Sequence, residues 1–208
     1  GQATGVGFPG ESTGVLPSYQ RWRDLDRVTM AFGYGVSVTT LQLAHVYSIF
    51  ANDGVKMPLS ILRRDTDVSG ERVLGNKVAR EIVPMLEAVT QAGGTATRAQ
   101  VPGFRVGGKT GTVHKLDARG YSPNRYSAVF AGIAPVSEPR YAMAVMIDEP
   151  SNGQYYGGEA AAPVFSHLMQ GVLQLMGAVP DALPTQEAKP QTVDKAKTEK
   201  MTVKGAAA

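Results

Sequence analysis

The chain contains 208 residues, of which 43% are hydrophobic, 19% are charged and none is cysteine. This length and apolar content suit one globular unit that buries a core. The net charge of +3 is too small and too dispersed to predict a nucleic-acid partner, which requires a clustered basic surface. The lack of cysteine excludes disulfides, thiol catalysis and cysteine-ligated metals.

The first thirty residues combine Gly, Pro, Ser and Thr without an apolar period. This pattern predicts an ordered loop that needs a scaffold to lie on. We therefore expect the chain to begin inside a domain, with any membrane anchor upstream. The longest uncharged stretch, 28–52, is too polar for a bilayer span, and it predicts a buried or half-buried helix.

Two helices are expected in the first half of the chain. Thr39 and Gln42 have the spacing of a capping box, and they open a helix that ends at residues 52–54. A second helical pattern covers 76–92, with its first residue, an asparagine, as the N-cap. Pro84 is expected to kink or split this second helix.

The pattern then changes to short strand-like runs, which are 104–106, 109–113, 126–134 and 141–148. The connections between them are short and polar, which favours antiparallel hairpins. A helix over 160–176 follows, and its apolar stripe is Ala161, Val164, Phe165, Leu168, Val172 and Leu175. We predict an α+β fold, an antiparallel sheet flanked by helices, in a domain over 1–178. Residues 179–208 have no apolar period, so a disordered tail is expected there.

One segment carries a motif with two interpretations. Residues 103–110, GFRVGGKT, match the phosphate-binding pattern GxxxxGK[ST] letter for letter, and the apolar run 144–148 ends in an acid as a Walker B strand does. A phosphate loop follows an apolar strand and opens a helix at its Lys-Thr. Here the preceding 97–102 is polar and ends in proline, while the following 111–113 favours a strand. The nucleotide-binding interpretation is therefore disfavoured.

The same letters match the KTG element of serine penicillin-recognising enzymes, which accompanies SxxK and SDN. Such an enzyme attacks an amide carbonyl, holds a substrate carboxylate and stabilises an oxyanion. A strand edge offers backbone groups to an extended peptide, and Gly111 removes a side chain where that peptide would lie. Lys109 supplies a fixed cation. Thr110 and Thr112 supply hydroxyl donors.

Longer stretches around this motif resemble class B penicillin-binding proteins. The similar blocks are 7–12 (GFPGES), 33–55 (GYGVSVTTLQLAHVYSIFANDGV), 93–112 (GGTATRAQVPGFRVGGKTGT) and 131–165. The overall likeness covers about residues 3–184 and is nearest to the division-specific FtsI type, penicillin-binding protein 3. It implies the transpeptidase fold of that family, incomplete at its N-terminal side.

The resemblance implies a D,D-transpeptidase that cross-links peptidoglycan stem peptides ending in D-Ala-D-Ala, with β-lactams as mimics that acylate the same serine. By this resemblance, Lys109 and Thr110 serve the substrate carboxylate and the active-site hydrogen bonds, and the backbone N–H of Thr112 contributes to the oxyanion hole. Division proteins at the septum are the implied partners. The implied location is the periplasmic face of the inner membrane. No cofactor is expected.

The sequence departs from the family in one respect. No serine is followed by lysine three positions later, so the SxxK nucleophile and base are absent from this chain. Ser122 and Asn124 spell SxN, but they follow KTG in an expected loop, whereas the family places SxN before it. We interpret this match as coincidence and expect the chain alone not to catalyse. The alternatives are a D,D-carboxypeptidase or β-lactamase of the same fold, a non-catalytic binding domain, and a P-loop NTPase.

Three tyrosines are candidates for binding substrate. Tyr155 and Tyr156 precede a pair of glycines beside the expected sheet, and Tyr126 begins one of its strands. Together they could wall a groove for the apolar parts of a ligand. Packing of the following helix explains the same residues equally well.

Other polar residues have simpler interpretations. We expect His114 to be a solvent-facing residue at a strand end, and Asp148 and Glu149 to be a solvated strand end. His45 and His167 lie in separate helical patterns. A metal-binding pair of histidines therefore has no support in the sequence.

Overall fold

Four helices and five strands make up the described part of the chain. The computed structural model describes residues 1–117, 120–151 and 153–182. The elements are α1 (Asp24–Met30), α2 (Thr40–Ala51), β1 (Val55–Lys56), β2 (Glu71–Arg72), α3 (Asn76–Ala88), β3 (Gly107–Asp117), β4 (Gly120–Ala134), β5 (Tyr141–Asp148) and α4 (Gly157–Leu175). Two single-turn 3-10 helices, Tyr19–Arg21 and Thr97–Ala99, complete the list.

The capping box predicted for α2 is confirmed. The Gln42 N–H donates to Thr39 Oγ1 at 3.1 Å, and the Thr39 N–H donates to Gln42 Oε1 at 2.8 Å. The helix stops where Asp53 and Gly54 adopt left-handed backbone angles, with φ of 50° and 87°. Only 40–51 of the uncharged stretch 28–52 belongs to this helix. Among the described residues, none of the helices has both the length and the apolar character needed to cross a bilayer.

Helix α3 differs from its prediction at both ends. Gly75, not Asn76, occupies the N-cap position, and the helix ends at Ala88 rather than at residue 92. It continues through Pro84 without a break. The early end has a tertiary cause, because the buried Thr90 turns inward and its Oγ1 donates to the Val106 carbonyl at 2.7 Å.

Strands β3, β4 and β5 form one antiparallel sheet in that order. The β3–β4 hairpin is longer than predicted, because most of the expected polar connection after Val113 is strand, including a buried Ser122. The predicted strand 104–106 does not form. The Arg105 N–H donates at 2.7 Å to the Asp181 carboxylate instead, so this backbone has a side-chain partner in place of a strand.

Each face of the sheet is covered by helices, in agreement with the predicted fold class. Phe130 of β4 points to α4, where its ring lies 4.7 Å from the ring of Phe165 at an angle of 70°. The neighbouring Ala131 and Ile133 point to the opposite face, towards Tyr47 of α2. This alternation is the period of two that a strand imposes.

The buried face of α4 is rotated relative to the predicted stripe. Ala161 and Phe165 are buried as expected, but Leu168 and Leu175 are 53% and 85% exposed. The residues that are buried instead include Ala162, Met169 and Leu173. Because the helix is apolar on more than one side, its period alone does not select the core face.

The expected tail, 179–208, is described only as far as residue 182. The Asp181 carboxylate accepts the N–H groups of Arg105 at 2.7 Å and of Ser137 at 3.0 Å. The Ala182 N–H donates to the Gly103 carbonyl at 3.1 Å. These contacts join the chain beyond α4 to the segment that enters β3. The rest of the predicted tail, 183–208, lies outside the described residues, and the domain boundary at 178 stays a prediction.

Charged side chains join the far ends of the three strands. Lys115 Nζ lies 2.8 Å from Asp148 Oδ2 and 2.7 Å from Glu149 Oε1, and Arg125 Nε donates to that same Glu149 oxygen at 3.1 Å. The Ser127 hydroxyl donates to Asp148 Oδ1 at 3.0 Å. The prediction of a solvated strand end is confirmed, because both carboxylates are exposed, and the structure adds that each of them is paired. We call Lys115, Arg125, Asp148 and Glu149 the strand-end ion cluster.

The first prediction concerns the stability of the α4 junction. Gly157→Ala should lower the free energy of unfolding by about 2 kcal/mol, because the added Cβ would lie 2.3 Å from the Val129 carbonyl oxygen. Gly171→Ala, in the same helix, has no atom within 4 Å of the new Cβ. It should raise the free energy of unfolding by about 0.5–1 kcal/mol. Urea unfolding of both variants tests this, and equal effects would contradict the close approach at Gly157.

The second prediction concerns pH. Hydrogen bonds from Arg125, and then from Lys115, lower the pKa of Glu149 from 4.5 to about 2. A lowered folded-state pKa stabilises the fold above the unfolded pKa, and this contribution disappears as the pH falls towards the folded value. Glu149→Gln should therefore destabilise the protein at neutral pH, and its difference from the unmodified protein should shrink between about pH 4.5 and pH 2. Urea unfolding across this range measures it, and a difference independent of pH would contradict the prediction.

Candidate functional site

The motif Lys109–Thr112 lies entirely within strand β3, which is an edge strand of the sheet in the described part of the chain. Lys109 pairs with Ala131, and Thr110 pairs with Phe130. A phosphate loop would require a helix to start at the Lys-Thr, and here the strand continues to Asp117. The geometry therefore disfavours the nucleotide-binding interpretation and agrees with the KTG interpretation.

The side chains of Lys109 and Thr110 form one hydrogen-bonded group. Lys109 Nζ donates to Thr110 Oγ1 at 3.2 Å and to the Thr110 carbonyl oxygen at 3.1 Å. Thr95 Oγ1 lies 3.2 Å from Thr110 Oγ1, so one of these two hydroxyls donates a hydrogen bond to the other. An ammonium and two hydroxyls thus converge at one point of the exposed strand edge, which is the donor set that a carboxylate requires.

Thr112 lies on the same face of β3 as Thr110, and the start of α4 contacts it directly. The Gly157 N–H donates to Thr112 Oγ1 at 3.0 Å. A Cβ at Gly157 would lie 2.3 Å from the Val129 oxygen, and one at Gly158 would lie 2.1 Å from the Thr95 oxygen. Both positions therefore require glycine, because the helix meets backbone atoms that cannot move away.

A cavity of about 430 Å³ opens between β3, the 3-10 turn Thr97–Ala99 and the start of α4. Its lining residues are Thr95, Thr97, Arg98, Thr110, Thr112, Tyr156, Gly157, Gly158 and Glu159. Five hydroxyl groups and one guanidinium outnumber the single carboxylate, that of Glu159, and they suit an anionic, hydrogen-bonding ligand group. Three of the predicted site residues, Thr110, Thr112 and Tyr156, are among them.

Sequence reasoning missed Thr95 and Arg98. Both lie in the block 93–112 that carries the family resemblance, but nothing in their local pattern distinguishes them from other polar loop residues. The side chain of Arg98 forms no hydrogen bond or ion pair with any of the residues described in the structure. Their presence in the cavity depends on how the loop folds back over β3.

The three candidate tyrosines come together in one stack. The ring centroids of Tyr126 and Tyr155 are 4.3 Å apart at an angle of 17°, and those of Tyr155 and Tyr156 are 4.5 Å apart. The hydrogen bond from the Tyr155 hydroxyl to that of Tyr156, at 3.4 Å, is the main cause of a raised pKa at Tyr155. Tyr156 is 55% exposed and reaches the cavity, whereas the other two rings extend the wall away from it.

His114 is not the solvent-facing residue that was expected. It is half-buried in the middle of β3, with Tyr126 as its cross-strand partner and the two ring centroids 4.5 Å apart. Its Nδ1 lies 2.8 Å from the Ser122 carbonyl oxygen, which can only accept, so Nδ1 carries the proton. The prediction failed because the strand continues well past His114.

The packing around Gly111 leaves its predicted role untested. A Cβ at this position would lie 3.6 Å from Val129 Cβ, which is an ordinary contact. The chain itself therefore does not require glycine at this position. The role predicted for Gly111, which is to let a ligand approach the strand closely, therefore stays a prediction.

A second cavity, of about 840 Å³, lies on the other side of the turn Thr97–Ala99. It is larger, but it contains none of the motif residues. Three of its four charged side chains have partners within the chain, since Arg105 pairs with Glu87 at 2.7 Å and Asp181 accepts backbone N–H groups. The fourth, Arg98, lines the smaller cavity as well. We therefore assign the chemistry to the smaller cavity.

Among residues 1–117, 120–151 and 153–182, no three His, Cys, Asp or Glu side chains are grouped so that they could hold a metal ion. His45 Nε2 lies 2.7 Å from the Met57 carbonyl oxygen, and His167 Nδ1 lies 2.9 Å from that of Pro163. Both rings therefore have local backbone partners.

Comparison with known proteins agrees with the geometry of the KTG strand. The family model described as "Penicillin binding protein transpeptidase domain" matches residues 1–170. The peptidoglycan D,D-transpeptidase FtsI of Escherichia coli K12 is 46% identical over 185 residues, which are 89% of this chain and 32% of that protein. The FtsI of Buchnera aphidicola is 40% identical over 188 residues, or 88% of this chain and 33% of its own length.

Solved structures give the same result. The transpeptidase domain of Burkholderia pseudomallei penicillin-binding protein 3, in its apo form, superposes with a TM-score of 0.82 at 43% identity. The match covers 88% of this chain and 56% of that one. The chain spans about a third of the length of the curated relatives described above. The chain belongs to the family of penicillin-binding protein transpeptidase domains.

Proposed function

We propose that this chain provides the KTG strand and the substrate-binding wall of a peptidoglycan D,D-transpeptidase that acts in cell division. One observation carries the proposal. Thr110 and Thr112 line one cavity on the same face of β3, and the Lys109 ammonium is hydrogen-bonded to Thr110 at that point. The 46% identity to a relative named as such a transpeptidase supports the same reaction.

In the proposed reaction, the chain binds the acyl donor rather than attacking it. Thr110 Oγ1 accepts a hydrogen bond from Lys109, and Thr112 Oγ1 accepts one from the Gly157 N–H. Each hydroxyl can therefore turn its own proton to the terminal carboxylate of a D-Ala-D-Ala stem peptide. The Lys109 ammonium stabilises the same negative charge.

The backbone completes the site. The N–H of Thr112 is proposed to stabilise the oxyanion that forms when a serine attacks the penultimate carbonyl. Gly111 leaves the strand edge open to an extended peptide. Tyr126, Tyr155 and Tyr156 are proposed to contact the apolar parts of stem peptides and of β-lactams.

The nucleophile and base of the reaction are not residues of this sequence, because no serine here is followed by lysine three positions later. The proposed activity therefore belongs to the native gene product that carries this chain together with an SxxK segment. Its proposed location is the periplasmic face of the inner membrane, through an upstream anchor, with septal division proteins as partners. Names of the relatives support transpeptidation over D,D-carboxypeptidase or β-lactamase activity.

A second candidate function follows from the same absence. A chain with the KTG strand and its cavity but no SxxK serine could bind peptidoglycan stems without reacting with them. Such a non-catalytic domain would retain the carboxylate-binding hydroxyls of Thr110 and Thr112. Covalent reaction with penicillin separates the two functions.

The third prediction therefore concerns acylation. The native gene product should gain the mass of one penicillin in denaturing intact-mass analysis, whereas this chain alone should gain none. Lys109→Ala should slow acylation about a hundredfold, because it removes a cation that stabilises developing negative charge. Lys77→Ala, an exposed lysine of α3 whose nearest acid is 3.9 Å away, is the matched control and should acylate normally.

A folded gene product without an adduct would contradict the transpeptidase proposal and favour the binding domain. Nucleotide binding that Lys109→Ala abolishes, again without an adduct, would favour the phosphate loop instead.

The fourth prediction separates the two roles proposed for Thr112. Thr112→Val keeps the backbone N–H but removes the hydroxyl donor to the carboxylate, and it should lower kcat/KM for acylation about tenfold. Thr112→Ser keeps the hydroxyl and should remain within about twofold of the unmodified protein. Stopped-flow acylation by a chromogenic β-lactam measures both. Equal rates for the Val and Ser variants would exclude a role for the hydroxyl.

A further inference from the structure

The segment from Glu149 to Tyr156 connects β5 to α4, and it carries two of the three stacked tyrosines. Glu149 has a φ of 48°, in the left-handed region that a residue with a side chain disfavours. This backbone angle turns the chain away from the sheet immediately after β5. Surrounding contacts must hold such a residue in place.

Two cations from two different strands hold Glu149. Its Oε1 accepts from Lys115 of β3 at 2.7 Å and from Arg125 of β4 at 3.1 Å. The Lys115 side chain is only 25% exposed, so its charge is partly shielded from water. The hydrogen bond from Arg125 is the first cause of the lowered pKa of Glu149, so the carboxylate keeps its charge, and its two cation partners, well into the acidic range.

Glu149 is also joined to the tyrosine stack. Its N–H donates at 2.9 Å to the carbonyl oxygen of Tyr126, the residue that follows Arg125. The Tyr126 ring then stacks on Tyr155, with 4.3 Å between their centroids. The chain between Glu149 and Tyr155 is therefore fixed at both of its ends against the same short stretch of β4.

We propose that the strand-end ion cluster is a positioning element, in which Arg125 and Glu149 fix the path from β5 to α4 and thereby hold Tyr155 in the tyrosine stack and Tyr156 at the cavity beside the KTG strand. None of the cluster residues lines the cavity. They act through the tyrosines and do not touch the ligand. This inference rests on the proposed function only where it assigns a ligand to the tyrosine wall.

A contribution to stability alone is a weaker explanation for the cluster. Exposed ion pairs contribute little to folding, because water and salt screen them. Here two strands direct their cations to one carboxylate oxygen at the point where the chain leaves the sheet with a disfavoured backbone angle. The arrangement restricts the direction in which the chain leaves the sheet, and this direction matters because the same segment ends in Tyr155 and Tyr156.

The first test measures local opening in the native gene product by hydrogen–deuterium exchange with peptide resolution. Arg125→Gln and Glu149→Gln should each speed exchange in peptides covering 149–157 about tenfold, with little change in α4 beyond residue 160 or in β3 at 107–113. Arg125→Lys keeps the charge and should recover most of the protection. Arg63→Gln removes an exposed guanidinium that lies 3.9 Å from the Asp65 carboxylate, and it is the matched control.

The second test separates ligand binding from chemistry. The probe is a penicillin that carries an aromatic side chain. Arg125→Gln should raise the penicillin concentration that gives half of the limiting acylation rate about three- to tenfold, while the limiting rate itself changes less than about twofold. Arg125→Lys should remain near the unmodified protein. A general loss of folding would instead reduce the fraction of protein that acylates.

Unchanged exchange at 149–157, or an equal increase in every peptide, would overturn the positioning proposal. So would a lowered limiting rate with an unchanged half-saturating concentration. If the unmodified protein forms no penicillin adduct, the proposed function fails, and the exchange comparison alone decides whether the cluster positions the tyrosines.

Discussion

The close approach of α4 to the backbone of β3 and β4 is the contact on which the site depends. Gly157 fits between the carbonyl oxygens of Val129 and Gly111, where a methyl group would overlap both. This contact brings the first N–H groups of the helix to the strand and orients the Thr112 hydroxyl. It also determines where Tyr156, the residue before the helix, meets the cavity. Two adjacent glycines thus set the distance between a helix end and a strand.

The motif strand is held from both ends. At its start, the buried Thr90 hydroxyl bonds the Val106 carbonyl, and Arg105 pairs with Glu87. At its other end, Lys115 joins the strand-end ion cluster. Between these points the strand edge carries Lys109 to Thr112 without a strand partner on its outer side in the described part of the chain. The supports at the two ends allow that edge to stay open and still keep its shape.

The sequence predicted the sheet and the motif better than it predicted their surroundings. The capping box of Thr39 and the strand position of Lys109 could be predicted because they depend on residues that are neighbours in the sequence. The extension of β3 past His114 could not be predicted, because the polar residues that pair across the hairpin have the same composition as a loop. Thr95 and Arg98 could not be found, because only the folding back of their loop brings them to the cavity. The family could be identified from the resemblance in sequence, whereas the full set of cavity residues could be identified only from the tertiary contacts.

The two faces of β3 differ in chemistry at the motif. Thr110 lies on the face that is covered by α4, and Lys109 lies on the opposite face with Ala131. The ammonium nevertheless reaches Thr110 Oγ1 at 3.2 Å, so the lysine side chain bends around the free edge of the strand. The charge of Lys109 is therefore presented at the strand edge beside the hydroxyls of the covered face, although the residue itself belongs to the other face. Under the proposed function, an open edge of this kind suits an extended peptide backbone, whose recognition depends on main-chain groups and leaves the ligand's side chains free to vary.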